Sequence, residues 1–272
     1  MTEKAPEILW HYTSIDTLVK ICTNLTMRAT HYAFMNDAEE VKAGAKRVLK
    51  QLDSVVWVDE YTDNVIYVKQ HMEQLIKKTD TKRFYIISFS KTKDALPLWR
   101  GYASQGGCAI GFSAIALKSL FENYSNPQAE KNLLFNECVY GKKDIQYLKV
   151  KIALVNRNIP DREDTLNRLI CSPICCSKNQ CFADEQEIRM AFIRQTNDEV
   201  HFENGKPFIE LKMQETVFPS LIKEVMISPH GNVNNNEQYV RFFSRYLGEK
   251  YGTSSSDGLL FPVTKSKLPY RG

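Results

Sequence analysis

Residues 185–192 read Glu-Gln-Glu-Ile-Arg-Met-Ala-Phe, the most informative stretch of this chain. Because side chains alternate between the two faces of a β-strand, a strand here places Glu185, Glu187 and Arg189 on one face. The apolar side chains between them then face a core. The charged face is either an ordinary solvated surface with cross-strand ion pairs or the acidic wall of a catalytic cleft.

The composition is that of a globular protein with a mild charge. The chain has 272 residues, 43% of them hydrophobic, which supports a packed core in one large domain or two small ones. A formal net charge of +4, from 36 basic and 32 acidic residues, argues against a strongly basic groove covering the surface. This charge neither requires nor excludes a nucleic acid as partner.

The sequence favours a cytoplasmic protein without a membrane partner. No apolar run approaches the ~18–20 residues needed to span a bilayer, and residues 1–7 lack the features of a secretory signal. The seven cysteines favour reduced thiols. Four of them cluster, namely Cys171, Cys175, Cys176 and Cys181. Their spacing is not that of zinc ligands, so we predict a packed cysteine-rich segment and no metal site.

Hydrophobic periodicity predicts an α+β fold with a mixed, mainly antiparallel sheet and helices, in a single domain over residues 1–272. The predicted strands are 8–12, 25–29, 83–90, 107–112, 133–140, 185–192, 221–227 and 259–263. The predicted helices follow a cap at Ser14 or Asp16, span 37–52, 63–78 and 145–176 (with a break near Pro160), and include a late helix around 239–247. The first two long helices form a helical insertion around residues 37–80. Asn204-Gly205 predicts a hairpin, and a loop is expected to carry Pro97, Trp99 and Tyr102.

Three polar motifs occur on predicted strands. They are His11-Tyr12-Thr13 at the end of the first strand, Ser88-Phe89-Ser90 on a central strand, and Glu185-Gln186-Glu187 on a later one. This order suits a site that holds the ribose of a nicotinamide nucleotide. A common cleft formed by the three motifs is therefore the central structural prediction.

Each residue type has a defined task in such a site. His11 is expected to bond ribose hydroxyls or the carboxamide, and Ser90 to hold the neighbouring strands and donate to the ligand. Trp99 or Tyr102 is expected to stack on the nicotinamide. Glu187 is expected to accept a hydrogen bond from the ribose 2′-hydroxyl.

The chemistry that these residues favour is cleavage of a glycosidic bond. Nicotinamide departs from an oxocarbenium-like sugar, and a fixed carboxylate stabilises the growing positive charge. One charge-assisted hydrogen bond contributes about 1.5–3 kcal/mol, or roughly 10–100-fold in rate. Glu185 then orients or deprotonates the acceptor, and Arg189 either holds a phosphate or neutralises Glu187.

Structural interpretations of the same motifs remain open. The Glu-x-Glu-x-Arg pattern is common on solvated strands, and a strand-end histidine such as His11 is often a structural residue. Trp99 and Tyr102 lie three residues apart and also fit one face of a core helix. Asn36-Asp37 is either an element of the site or a helix cap.

The ordered set of motifs resembles one largely bacterial family, the domain of unknown function numbered 2971. The similar residues are His11-Tyr12-Thr13-Ser14, Phe34-Met35-Asn36-Asp37, Glu40, Ser88-Phe89-Ser90, Asp94, Trp99, Tyr102, Gly107, Ile110-Gly111-Phe112, Phe182, Glu185, Glu187, Arg189 and Tyr270-Arg271. Two positions depart from the family pattern. Phe182 replaces a tryptophan, and Asp184 replaces an aromatic residue before the first glutamate.

This family is similar to the ADP-ribosyltransferase superfamily, whose members combine a His or Arg strand, a Ser or Tyr strand and a late glutamate. The resemblance implies an ADP-ribosyltransferase-like fold in which His11, Ser88-Phe89-Ser90 and Glu187 fill these places, with Glu185 as the second glutamate. It implies NAD as substrate, no metal, and transfer of ADP-ribose to a protein, a nucleic acid or water. A role as a toxin or phage-defence effector is also implied.

Two other classes of function compete with an enzyme. The first is a non-catalytic module that binds a nucleotide or a nucleic-acid end through Arg100, Arg189 and the aromatic side chains. The second is a protein-interaction domain. A thermal shift with NAD discriminates between the classes, because a ligand that binds only the native state stabilises it, and a null result at millimolar NAD favours the interaction domain.

Overall fold

The computed structural model describes residues 7–35, 38–54, 56–57, 59–77, 84–122, 133–140, 152, 155, 158, 162–194, 198–252 and 255–269. The α-helices in these ranges are α1 (Ile15–Asn24), α2 (Ala38–Asp53), α3 (Asp59–Lys77), α4 (Leu96–Tyr102), α5 (Ala114–Glu122), α6 (Arg162–Cys175), α7 (Phe218–Leu221) and α8 (Val233–Tyr251). Two 3-10 segments cover Tyr32–Phe34 and Gln180–Glu185. None of the helices in these ranges combines the length and the apolar character that a membrane span requires.

The strands are β1 (Ile8–Thr13), β2 (Thr26–His31), β3 (Phe84–Ser90), β4 (Cys108–Ser113), β5 (Leu133–Glu137), β6 (Val139–Tyr140), β7 (Ser177–Lys178), β8 (Glu187–Ile193), β9 (His201–Glu203), β10 (Lys206–Lys212), β11 (Ile222–Ile227) and β12 (Val263–Lys265). Within the described residues, ten strands form one sheet and β6 pairs with β7 apart from it. The pairs β11–β12 and β6–β7 are parallel, and the other described pairs are antiparallel. The predicted α+β fold with a mixed, mainly antiparallel sheet is confirmed.

Strand β3 lies at a fork in the sheet. One edge of β3 pairs along its whole length with β8, from Phe84↔Ile193 to Ser90↔Glu187. On the other edge, its first half pairs with β2 through Thr30↔Ile86 and His31↔Tyr85. The last residue of β3 pairs with β1 through Trp10↔Ser90, the single register pair described between these two strands. Strands β1 and β2 therefore share one edge of β3 and diverge between its two ends.

Six helices cover the two faces of the sheet, whereas the buried polar end of β3 lies beyond them next to α4. On one face, α1, α5 and α8 pack Leu18, Leu117 and Val240 into a core that includes Ile87 and Phe89. On the other face, α2, α3 and α6 cover the first half of β3 in a second core. Ser88 and Ser90 follow on this second face, since side chains two apart share a face. On this face, the side chains of β3 thus change from apolar to polar at the point where α2, α3 and α6 no longer cover the strand.

Local signals explain how two elements begin. The Ser14 side chain accepts a hydrogen bond from Thr17 N at 3.1 Å and caps α1, one of the two caps that the sequence predicted. Asn204 and Gly205 have φ angles of 52° and 72°, which allow the tight turn between β9 and β10. The predicted hairpin is confirmed.

Three predictions about individual elements are wrong. The strand expected over 259–263 is instead Val263–Lys265, which shares only Val263 with the predicted range. The strand expected over 185–192 begins only at Glu187, because Glu185 ends a 3-10 segment and Gln186 is left-handed with φ 41°. The loop expected to carry Trp99 and Tyr102 is helix α4, whose first turn accommodates Pro97.

Several predicted features lie partly or wholly outside the described residues. They are Asn36, Asp37, Tyr270, Arg271 and most of the first half of the helix predicted over 145–176. Of that predicted helix, α6 (Arg162–Cys175) is described. Helices α2 and α3 lie within the insertion predicted around residues 37–80.

Gly107 is required by close packing next to β1. A Cβ atom at this position would lie 2.3 Å from the Thr13 carbonyl oxygen and 3.0 Å from Ala103 Cβ. We expect Gly107→Ala to lower the free energy of unfolding by about 3 kcal/mol. The matched control is Gly101→Ala in α4, because a Cβ atom there meets nothing within 4 Å. This control should raise the stability by about 0.5 kcal/mol. Urea denaturation measures both, and equal stabilities would contradict the packing.

Candidate active site

A cleft lined by strands and one helix lies at the fork of the sheet. The space within it is about 380 Å³, including its open mouth. Four parts of the chain form its walls: β1, β3, α4 and the turn that enters β8. The lining residues are Trp10, His11, Tyr12, Ser88, Phe89, Ser90, Leu98, Tyr102, Glu185 and Glu187. The structure thus brings together the three polar motifs found in the sequence.

His11 lies where β1 leaves β3. Its Nδ1 atom is 2.9 Å from the carbonyl oxygen of Ser88, a group that faces the gap between β1 and β2. A carbonyl only accepts, so Nδ1 carries the proton and donates it. Burial lowers the pKa of His11 below 6.5, although the bond to Ser88 acts in the opposite direction. The ring is therefore neutral at pH 7, and its Nε2 atom has a lone pair available as an acceptor.

The two serines of β3 differ in their bonding. Ser90 Oγ donates to the Glu185 carbonyl oxygen at 2.6 Å and accepts from Thr92 N at 2.9 Å. The donor of Ser90 is thus used to hold the chain at Glu185. Ser88 Oγ is buried and has no hydrogen-bond partner among the described residues. Of the two hydroxyls, Ser88 is the one with a donor left for a ligand.

A buried ionic quartet forms the acidic wall. Lys178 Nζ lies 2.6 Å from Glu185 Oε2 and 2.6 Å from Glu187 Oε2. Arg189 Nε donates to Glu187 Oε1 at 2.8 Å, and its Nη2 donates to Oε2 at 3.1 Å. Arg189 Nη1 also donates to the Cys175 carbonyl oxygen at 2.7 Å. The side chains of Lys178 and Arg189 have no exposed surface.

The quartet keeps Glu187 ionised. Burial alone would raise the pKa of this carboxyl, but the charges and hydrogen bonds of Arg189 and Lys178 outweigh that effect. The pKa of Glu187 falls to about 2 as a result. Three donors occupy its oxygens, and a carboxylate offers about four acceptor positions. Oε1 thus retains one position for a further donor.

Lys178 and Tyr140 are members of the site that the sequence analysis missed. Lys178 lies in β7, next to the cysteine-rich segment, and its ammonium group also faces the Phe182 ring at 5.1 Å. The Tyr140 hydroxyl accepts from Glu187 N at 2.6 Å and anchors the start of β8. Tyr140 ends the strand predicted over 133–140, but nothing in the sequence links Tyr140 or Lys178 to Glu187. Both act by fixing the position of Glu187.

The remaining predicted site residues differ in their exposure to solvent and in whether they line the cleft. Tyr102 is exposed and lines the cleft from the end of α4. Trp99 is fully buried behind it, and its Nε1 donates to Asp94 Oδ1 at 2.6 Å. Thr13 pairs with Cys108 on β4 and does not line the cleft. Arg189 is wholly buried, which fits the alternative that it neutralises Glu187.

The described residues offer no cluster of His, Cys, Asp and Glu side chains that could hold a metal ion. Among the described residues, Cys175, Cys176 and Cys181 of the cysteine cluster form no disulfide. Burial raises the pKa of Cys176 to about 12, which keeps this thiol protonated at pH 7.

Comparison with known families bears on the acidic half of the site. Residues 98–190 match the model of the family described as "Protein of unknown function (DUF2971)". The predicted resemblance is confirmed over this segment, which contains Tyr102, Lys178, Glu185, Glu187 and Arg189. The matched segment thus contains Leu98 and Tyr102 of the α4 wall and all four residues of the ionic quartet. No curated protein and no solved structure matches the chain.

Removal of Lys178 tests the quartet. Lys178→Met leaves two buried carboxylates with one cation, so we expect a loss of about 3–5 kcal/mol in the free energy of unfolding. The matched control is Lys69→Met, which removes a half-buried lysine 2.5 Å from the exposed Asp53 Oδ1. This control should cost less than about 1 kcal/mol. Chemical denaturation measures both, and similar losses would show that the quartet does not stabilise the fold.

The depressed pKa of Glu187 predicts a defined pH dependence. A carboxylate with a folded-state pKa of about 2 and an ordinary value of 4.5 stabilises the fold above pH 4.5. That contribution is lost as the pH falls from 4.5 towards 2. The stability difference between the native chain and Glu187→Gln should therefore shrink over this window. Denaturation at stepwise lower pH measures the difference, and a constant value would contradict the assigned ionisation.

Proposed function

We propose that the cleft binds NAD and that the protein transfers ADP-ribose from NAD to an acceptor or hydrolyses NAD. One observation supports the proposal above the others. His11, Ser88 and Ser90, and Glu185 and Glu187 come from distant segments of the chain and line the same cleft. A merely solvated Glu-x-Glu strand would not require this convergence.

The proposed reaction breaks the bond between the ribose carbon and the nicotinamide nitrogen. The bonding electrons leave with nicotinamide, and the sugar becomes oxocarbenium-like. An acceptor oxygen, from water or a macromolecule, then forms the new bond and loses its proton. Glu187 is the proposed stabilising carboxylate, because it is ionised and held in place before the reaction. Glu185 is the proposed base for the acceptor.

The other lining residues have proposed roles in binding. The neutral His11 ring accepts a hydrogen bond from a ribose hydroxyl, and Ser88 Oγ donates to the ligand. Tyr102, at the exposed end of α4, stacks on the nicotinamide. Ser90 positions Glu185, and Arg189 positions Glu187. The proposed acceptors are a protein, a nucleic acid or water, and we place the activity in the cytoplasm, in a toxin or phage-defence role.

A second candidate is a nucleotide-binding module without turnover. The observation that favours it is the charge balance of the quartet, since Lys178 and Arg189 neutralise both carboxylates. A neutral wall stabilises a sugar cation less than an isolated carboxylate does. This candidate predicts that NAD raises the thermal unfolding midpoint of the protein while no nicotinamide is released.

Nicotinamide release from NAD tests the enzymatic proposal. We expect release by the native chain and a loss of roughly 10–100-fold in rate for Glu187→Gln, since one charge-assisted hydrogen bond is removed. Tyr102→Ala should raise the KM for NAD by about 3- to 10-fold through the loss of stacking. Tyr246→Ala is the matched control, because Tyr246 is an exposed tyrosine on α8 that does not line the cleft.

Circular dichroism establishes that each variant is folded before its activity is compared. Tyr102→Ala remains informative if Glu187→Gln is unstable, because the Tyr102 side chain is 41% exposed. Thermal stabilisation by NAD without release of nicotinamide supports the binding module. If millimolar NAD causes neither thermal stabilisation nor release of nicotinamide, both candidates are overturned.

A further inference from the structure

A second cleft adjoins the first across His11, whose side chain lines both. This cleft has a volume of about 650 Å³, including its open mouth. Its walls come from α1, β2 and the hairpin between β9 and β10. Ile87 lines it from the opposite face of β3 to Ser88. The proposed reaction centre and this cleft therefore lie on either side of the fork.

Two cations in this cleft converge on one carboxylate. Lys20 Nζ on α1 lies 3.2 Å from Glu203 Oε1, and Arg28 on β2 donates to Glu203 Oε2. Arg28 Nε also lies 3.6 Å from Glu210, its cross-strand neighbour on β10. The guanidinium carbon of Arg28 is 4.2 Å from the centre of the Phe208 ring, so the two groups make a cation–π contact. The two cations are thus held side by side with Glu203 between them.

Glu203 reaches this position from a hairpin tip. It is the last residue of β9, and Asn204 and Gly205 form the turn that follows. The side chains of Lys20, Arg28 and Glu203 are 54%, 37% and 36% exposed. Exposed ion pairs contribute little to stability, so a competing anion can replace the carboxylate at small cost.

A phosphate group is a better partner than a carboxylate for this pair of cations. It carries a larger negative charge and more acceptor oxygens, and its geometry suits bidentate bonds from arginine. The polar groups of Asn24 and Thr26 lie in the same cleft and add further hydrogen-bonding capacity. The cleft therefore offers the donors that a phosphate or pyrophosphate ester needs.

We propose that this second cleft binds a phosphate- or pyrophosphate-bearing ligand, and that the Glu203 carboxylate occupies the phosphate position until the ligand displaces it. This inference goes beyond the proposed function, because it requires neither nicotinamide nor turnover. It makes Glu203 a built-in competitor of the ligand. Removal of its charge strengthens ligand binding, whereas removal of the two cations abolishes it.

Calorimetric titration with inorganic pyrophosphate, without added divalent cations, tests the proposal. We expect Glu203→Gln to bind about tenfold more tightly than the native chain, since a competing charged acceptor is lost. Combined Lys20→Gln and Arg28→Gln should reduce the affinity by at least tenfold. The matched control is Glu237→Gln, because Glu237 bridges Arg241 at 3.0 Å and Lys265 at 2.9 Å and lines neither cleft. Its affinity should equal that of the native chain.

Three results would overturn the proposal. The first is that neither the native chain nor Glu203→Gln binds millimolar pyrophosphate. The second is that the two bind pyrophosphate with the same affinity. The third is that Glu237→Gln gains as much affinity for pyrophosphate as Glu203→Gln does. Thermal unfolding checks the fold of each variant. If the double variant is unfolded, Lys20→Gln alone replaces it, because Glu203 is the sole polar partner of this exposed side chain in the part of the chain that the structure describes. Unchanged binding by Lys20→Gln would also contradict the site.

ADP-ribose in the same titration distinguishes two sources of the phosphate. If one dinucleotide spans both clefts, pyrophosphate competes with ADP-ribose, and Tyr102→Ala leaves pyrophosphate binding unchanged. If a separate phosphate ester uses the second cleft, both molecules bind at once. Either result supports the site. The titration does not measure nicotinamide release. The phosphate-site proposal can therefore fail while the enzymatic proposal stands, and the enzymatic proposal can fail while the phosphate site stands.

Discussion

The organisation of the cleft depends on one buried contact, the ammonium group of Lys178 between the carboxylates of Glu185 and Glu187. These carboxylates do not share a strand, because the left-handed backbone of Gln186 separates them. Without a cation between them, their mutual repulsion and their burial would favour protonation or outward rotation. Lys178 therefore links the turn to the strand, and Arg189 completes the neutralisation from the following pleat. The acidic wall is stable as a set of four charges rather than as two separate acids.

The second organising feature is the gap between β1 and β2. A regular sheet would continue the ladder along β3 and satisfy the Ser88 carbonyl with a backbone amide. Here the imidazole of His11 provides that donor, and the same bond fixes which ring nitrogen holds the proton. One hydrogen bond thus both satisfies the Ser88 carbonyl oxygen and sets the tautomer of His11. The two clefts adjoin because this ring occupies the gap.

The sequence predicted the fold class and the residues that meet in the cleft more reliably than the local backbone. The motifs at His11, Ser88 and Glu187 were recognisable because strand periodicity and the order of polar pairs are local signals. The turn before β8 was not predicted, since Gln186 carries no glycine-like signal for a positive φ. Lys178 was missed for a different reason: its partners are fixed by tertiary packing, which one sequence does not display. Helix α4 lies where the sequence predicts a loop, and its first turn accommodates Pro97 because proline is compatible with that position.

The single register pair between β1 and β3 gives the sheet a seam. Strand β1 is tied to β4 through six residue pairs and to β3 through one. The two halves of the sheet are therefore joined between β1 and β3 by little backbone hydrogen bonding. The hydrogen bond from His11 Nδ1 to the Ser88 carbonyl oxygen adds a side-chain link between the same two strands. A substitution at His11 would thus act on the cohesion of the sheet as well as on the chemistry of the cleft.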